Sequence, residues 1–184
     1  MTAPLIQPPV PDDASAWFDF VVEQQTHTYR GIVRPDFAEA QRGFRADWVA
    51  GLAASFADPG SSRRLIARQD GRVVGVASIV DAPSGWEIEE GYTPAPASRC
   101  LDRLYLHPAV QGRGLGSALL SAIDDGRDLY LWLIDGNASA QQFYRHRGFV
   151  DEPENFTTGE SWGSVAMHRM IRRIGDTTSR PEVR

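Results

Sequence analysis

Two stretches near the N-terminus repeat apolar residues at helical spacing. From Asp12 to Tyr29 an acidic start precedes Trp17, Phe18, Val21 and Val22, and from Asp36 to Phe56 the stripe is Phe37, Phe44, Trp48, Leu52 and Phe56. Each predicts one helix. The segments Arg64 to Arg68 and Arg72 to Val80 are apolar and β-branched on either side of Asp70-Gly71, a dipeptide suited to a tight hairpin turn. Asp81 to Pro96 is rich in proline, glycine and acids and is expected to be a loop. Leu101 to Leu106 predicts a strand and Leu115 to Asp125 a helix. Leu129 to Ile134 is continuously apolar, as in a strand buried on both faces. Asn137 opens a helix to Arg147 as its N-cap, Gly148 ends it, and Ser164 to Ile171 is the expected last strand. Met1 to Pro11 is proline-rich and extended, with at most a short strand at Leu5-Ile6. The resulting order of strand, two helices, hairpin, strand, helix, strand, helix, strand is that of an α/β domain with a mixed sheet. The chain shows neither an internal repeat nor a second domain.

Between the strand at Leu104-Tyr105-Leu106 and the helix at Leu115 lie Gln111-Gly112-Arg113-Gly114-Leu115-Gly116. A strand that passes through glycines into a helix start leaves free backbone N–H groups converging on one point, reinforced by the helix dipole, and such a point binds phosphate. Composition narrows the ligand. All 19 basic residues are arginine, so a Walker A loop, a protein kinase and a pyridoxal enzyme each lack their essential lysine. The dinucleotide fingerprint G-x-G-x-x-G is missed as well, because Ser117 stands where its third glycine belongs, and this weakens a nucleotide-binding regulator.

The segment Gln111-x-x-Gly114-x-Gly116, preceded by Leu104-Tyr105-Leu106-His107-Pro108, resembles the acyl-CoA signature Q/R-x-x-G-x-G/A of the GNAT superfamily of N-acetyltransferases. A second segment, Asn137-x-x-Ala140-x-x-Phe143-Tyr144-x-x-x-Gly148-Phe149, is similar to that family's later N-x-x-A-x-x-F-Y-x-x-x-G-F pattern at every named position. The resemblance is good over about Arg63 to Arg172 and looser elsewhere. Tyr29-Arg30-Gly31-Ile32 with Pro35-Asp36 is similar to a Y-R-G-I/L-x-x-D segment of bacterial members that walls the substrate side. It implies a GNAT-like α/β fold, with a mixed, mostly antiparallel central sheet flanked by helices in a single domain over residues 1–172. Residues 173–184 are then expected to be a flexible tail.

What the resemblance implies for chemistry is acetyl transfer from acetyl-CoA to a primary amine of a small molecule or peptide, by direct attack on the thioester. The pyrophosphate would lie on the amides of Gly112, Arg113, Gly114, Leu115 and Gly116, with the Ser117 hydroxyl as a further donor; Gln111 and, besides its cap, Asn137 are further cofactor contacts that the motifs imply. The pantetheine arm would pair, like an added strand, with the backbone of Leu104, Tyr105 and Leu106. The Leu104 N–H is the expected oxyanion donor. Tyr144 is the expected proton donor to the thiolate, since a phenol with pKa about 10 is protonated at neutral pH. Members of the family place a glutamate eleven residues before the loop's Gln, and here that position is Cys100. A thiol of pKa about 8.5 is a poor base, and a single buried Cys is more often packing. Asp102, two residues on and on the same strand face, is the first substitute base; Glu87, Glu89 and Glu90 are others, and water-mediated deprotonation is a third route. With Trp86 and Tyr92 those glutamates would form an acidic, aromatic rim that attracts a cationic amine. Cys100 at the usual base position also sustains a different class, a non-catalytic acyl-CoA-binding or sensor module.

Remaining features exclude or bound. A single cysteine rules out an intrachain disulfide and a cysteine-based zinc site, and His27, His107, His146 and His168 are dispersed, so no metal is expected. His107, where the strand ends before Pro108, is expected to be structural. A net charge of −5 argues against nucleic acid, and the basic run Arg169 to Arg184 is expected to be a solvated end. No apolar stretch approaches the roughly 20 residues of a membrane span, and no signal peptide is recognisable, so a cytoplasmic monomer or homodimer is expected. Gly159-Glu160-Ser161-Trp162-Gly163 fits the hydrolase elbow G-x-S-x-G, but polar residues precede it and no acid lies between Ser161 and the last histidine, His168.

Overall fold

The computed structural model describes residues 2–175 and has one seven-stranded sheet. Its elements are β1 (Leu5–Gln7), α1 (Ala14–Thr28), α2 (Phe37–Gly43), α3 (Arg45–Ala57), β2 (Arg63–Gln69), β3 (Arg72–Asp81) and α4 (Gly85–Glu89). There follow β4 (Arg99–Leu106), α5 (Leu115–Ile123), β5 (Leu129–Ile134), α6 (Ala138–Arg145), β6 (Val150–Thr157) and β7 (Ala166–Arg172). The spatial order is β1-β2-β3-β4-β5-β7-β6, and every neighbouring pair is antiparallel except β4 and β5. This is the mixed, mostly antiparallel sheet that the resemblance implied.

Alternation along the strands sorts the core into two layers. Ala67, Ala77 and Ile79 face α5, whose Leu115, Leu119, Leu120 and Ile123 complete a cluster with Tyr144 and Phe149. Ile66 and Val76 face the other way, onto Trp17, Phe20 and Val21 of α1 and Phe56 of α3. The β2–β3 turn holds Asp70 at φ 50° and Gly71 at φ 77°, the paired positive φ values that the Asp-Gly dipeptide supplies.

Four expectations need correction. The second helix is broken at Phe44 (φ −96°, ψ 6°), just after the weak helix former Gly43; α3 thereby sets Phe56 on the sheet while α2 carries Phe37 against Trp162. The loop Asp81 to Pro96 contains α4, where Ser84 and Glu87 form a capping box that the sequence spells as S-x-x-E. Strand β6 was missing from the expected order because it is polar and contains Pro153. It survives as an edge strand paired on one side, and its register is interrupted between Asp151 and Asn155 around the proline. The run from Arg169 is no solvated end, for β7 extends to Arg172 and Arg169 is buried against Glu152 and Glu154. Of the tail expected over 173–184, residues 176–184 lie outside the described residues.

Candidate active site

A cavity of about 710 Å³ opens where β4 and β5 part. The two strands share a single paired position, Cys100 with Tyr130, and diverge beyond it. The consequence for the backbone follows from the β3–β4 ladder. His107 N–H donates to the Val74 carbonyl (2.9 Å), so alternation leaves the pairs Gly75–Leu106 and Ala77–Leu104 as the non-hydrogen-bonded ones. The N–H and C=O groups of Leu104 and Leu106 therefore turn away from β3, into the gap. Gln111 already uses one of them: its Nε2 donates to the Leu106 carbonyl (3.1 Å) and ties the glycine loop to the strand end.

That loop is built as the sequence required. Gly112 and Gly114 have φ of 71° and 87°, a region that L side chains avoid, and a Cβ at either would meet nothing within 4 Å. The space before the loop is open. The first backbone bond of α5 runs from Ala118 N–H to the Gly114 carbonyl (3.0 Å), so the N–H groups of Leu115, Gly116 and Ser117 precede any helical partner. A phosphate ester fits this set of amides at a helix start. Gly116 allows a close approach, since a Cβ there would lie 3.1 Å from Leu106 and 3.2 Å from Phe143.

The cavity brings together most of the expected ligand residues: Leu104, Tyr105, Leu106, Gln111, Gly112, Gly114, Gly116, Ser117, Asn137 and Tyr144. Arg113 is exposed and Leu115 is buried in the α5 core, and neither side chain lines it. Asn137 caps α6, accepting from Ala140 N–H (3.3 Å), and lines the cavity as well. Tyr144 is buried, with burial first and Tyr105 second pushing its phenol well above the usual value; it stays protonated throughout the neutral range.

The acidic candidates separate. Asp102 is the extra residue of a β-bulge, because Ser78 pairs with Arg103 and Ile79 with Leu101. The bulge resets the strand's facing, so that Leu101, Leu104 and Leu106 all pack on the α5 side. The Asp102 carboxylate accepts from Ser78 Oγ (3.0 Å) and Arg103 Nη1 (2.6 Å) and borders the cavity. Glu87 is not part of an open rim. It is 0% exposed, its carboxylate taken up by the Tyr130 hydroxyl, Trp132 Nε1 (2.9 Å) and the Ser84 N–H and hydroxyl (2.7 Å each). Glu89 and Glu90 are exposed on the end of α4 and do not line the cavity. Trp86 and Tyr92 stack with Trp132 and Phe156, where the cation already present is Arg169, 4.6 Å from the Phe156 ring. Cys100 is fully buried, and its thiol is pushed up by that burial and by the charges of Asp102 and Glu87.

Three further groups line the cavity, and the first two had no signal in the sequence. Arg147 stacks 3.5 Å over Phe143 and donates to Ser117 Oγ, placing a guanidinium beside the free amides. Trp132 forms the β5 wall, and the end of α1, His27 to Tyr29, closes the far side. The resemblance implies a place on the substrate side for the segment around Tyr29, and its contact with Tyr105 at the β4–β5 gap brings Tyr29 to the cavity. His107 is structural, its Nδ1 accepting from Ala109 N–H (3.2 Å). Ser161 lies in a short 3₁₀ turn, and His168 faces a carboxylate at each ring nitrogen, Asp135 at Nδ1 (2.6 Å) and Asp151 at Nε2 (3.2 Å), which leaves neither for a serine and forms no hydrolase triad. Among the described residues no cluster could hold a metal ion, and no helix is long and apolar enough to cross a membrane.

The family model for an acetyltransferase (GNAT) domain matches residues 60–151. No curated protein matches the chain. Among solved structures, an N-acetyltransferase of Thermoplasma acidophilum in complex with coenzyme A is similar at TM-score 0.66 and 19% identity, over 94% of this chain and 99% of that one. A GCN5-related N-acetyltransferase of Rhodopseudomonas palustris aligns at 0.60 and 26% identity over 94% and 97%. A phosphinothricin acetyltransferase of Sinorhizobium meliloti, in complex with acetyl-CoA, aligns at 0.64 and 18% identity over 98% and 94%.

Proposed function

The chain belongs to the GNAT acetyltransferase family, and from that premise we propose that it acetylates a primary amine by direct attack on the thioester of acetyl-CoA. The observation that supports this most is the unpaired edge of β4, whose Leu104 and Leu106 amides face a gap that also receives the free N–H groups of residues 115–117. Those amides, Ser117 and Arg147 hold the phosphates, and the β4 edge holds the pantetheine arm as an added strand. The substrate acetyl-CoA supplies the activated acyl group.

The residues of the chain divide the remaining work. An alkylammonium with pKa about 10.4 must first lose a proton, and Asp102 is the carboxylate at the cavity edge that can pass it to water. The Leu104 N–H donates to the thioester oxygen as negative charge develops there. As the N–C bond forms and the C–S bond breaks, Tyr144 donates to the departing sulfur, and the second amine proton balances the thiol formed. Neither Cys100 nor Glu87 takes part: Cys100 is buried with its thiol pushed up, and Glu87 is buried and already partnered.

Release of thiol from acetyl-CoA, followed across polyamines, amino acids, aminoglycosides and peptide N-termini, tests the reading. An acyl-CoA sensor would bind and release nothing. Gly114→Glu sets a carboxylate against the phosphate site in open space, with left-handed strain of only about 1–2 kcal/mol. Acetyl-CoA binding by calorimetry is expected to vanish while the circular dichroism spectrum persists; undiminished binding would remove the cofactor assignment.

A further inference from the structure

Behind Asp102, on the face of the sheet covered by α1 and α3, lies a second chamber of about 90 Å³. Strand register makes it: Arg64 of β2 pairs with Ser78 of β3, which pairs with Arg103 of β4, so three polar side chains stand in one row across the sheet. The next row in the same layer is Ile66, Val76 and Tyr105, which is core. The bulged Asp102 borders both this chamber and the acetyl-transfer cavity, and Gln25 and Gln41 reach in from the helices.

The charges in the chamber do not balance. Arg103 is matched by Asp102, at 2.6 Å. Arg64 is half-buried, with its guanidinium 5.9 Å from the Phe56 ring; it enters no ion pair among the described residues, and its Nη1 is buried without a hydrogen-bond partner. A buried donor without a partner is costly, so this nitrogen calls for an acceptor in the chamber. Space equal to about three waters, each near 30 Å³, suits one small planar anion.

We propose that this chamber binds the anionic group of the acceptor, making the substrate an amine that also bears a carboxylate, as an amino acid does, with Arg64 as the anion site. Asp102 then meets the ammonium end, and the two ends of the substrate meet opposite charges on either side of the bulge. The inference rests on the acetyltransferase reading. It replaces the expected acidic rim, whose Glu87 is buried and whose Glu89 and Glu90 stand outside the cavity.

The test compares amino acids with their carboxamides, which keep the amine and lose the anion, in wild type and Arg64→Met. Wild type is expected to favour the acid in kcat/KM by about tenfold or more, the loss expected when one charge-assisted hydrogen bond of about 1.5–3 kcal/mol is missing. Arg64→Met should abolish that preference by lowering kcat/KM for the acid alone, with acetyl-CoA affinity unchanged. It should also leave Tm nearly equal, because Met keeps the apolar contact with Phe56 and removes a half-buried charge that has no ion pair; a purely structural arginine would lower Tm and depress both substrates alike. A second readout needs no turnover. With coenzyme A saturating, formate should raise the Tm of wild type and not of Arg64→Met. Equal turnover of acid and amide, or equal formate shifts in the two proteins, would overturn the proposal, whereas absent acetyl-CoA binding would overturn the reading beneath it.

Discussion

Tyr144→Phe removes one hydroxyl from the cavity wall and keeps the ring that packs on Phe143 and Phe149. Burial raises the phenol above its usual pKa of about 10, whereas a thiol titrates near 8.5. Complete proton transfer before C–S cleavage is therefore uphill by at least about 2 kcal/mol, at 1.36 kcal/mol per unit. The phenol instead acts by a hydrogen bond that strengthens as sulfur becomes anionic. Such charge-assisted bonds contribute about 1.5–3 kcal/mol, so turnover should fall by roughly 10- to 150-fold. Thiol release at saturating acetyl-CoA measures the fall, and calorimetry should find acetyl-CoA affinity nearly unchanged, because the bond is made in the transition state rather than the ground state. The sign of the pKa shift adds a constraint. A raised pKa keeps the donor protonated above its ordinary value, so Tyr144 should contribute no alkaline decline of kcat below about pH 10. Turnover within about threefold of wild type, or a loss confined to acetyl-CoA affinity, would refute the donor role.

Arg147→Ala removes a cation from beside the phosphate loop and should weaken acetyl-CoA binding by roughly tenfold, the scale of one charge-assisted bond; calorimetry with S-acetylpantetheine, which lacks the phosphates, should show no change. Glu87→Gln turns one carboxylate oxygen into an amide NH₂, which cannot accept from the Ser84 N–H or hydroxyl, and should lower denaturant stability by about 1–3 kcal/mol without altering acetyl-CoA affinity. Asp125 is partnered with the fully buried Arg99; burial alone would raise its pKa, but its hydrogen bond to Arg127 and the charges of Arg127 and Arg99 hold it below the usual range. A depressed folded pKa means this stabilisation is present above about pH 4 and is lost as pH falls through the folded value, so Asp125→Asn should cost about 3 kcal/mol at neutral pH and flatten the acid limb of a denaturation series.

Local chemistry accounts for what was legible in the chain. Asp70-Gly71 specifies its turn because both residues must adopt positive φ, and Gly112 and Gly114 specify the glycine loop for the same reason. Asn137, Tyr144 and Gly148 are set along one helix and its ends by spacing alone, as cap, cavity-lining residue and stop. Even α4 was written locally, in Ser84 and Glu87, although its proline- and glycine-rich surroundings hid it. Strand β6 was not written at all. Its sequence is polar and contains proline, and it is a strand only because β7 offers an edge.

Periodicity and motif thus determined most of the elements, the glycine loop and the place of Tyr144 on its helix, since each depends on backbone preferences within a few residues. The acidic residues could not be assigned this way. Glu87, Glu89 and Glu90 are close neighbours in the chain, yet the first is fully buried beneath Tyr130 and Trp132 and the others stand in solvent, because only the packing of α4 on β5 distinguishes them. Likewise Arg64, Ser78 and Arg103 are scattered in sequence and form a row only through the register of three strands, and Asp102 joins two cavities only because a bulge displaces it. Charge placement depends on burial and on cross-strand partners, which are properties of the folded sheet and not of any local segment.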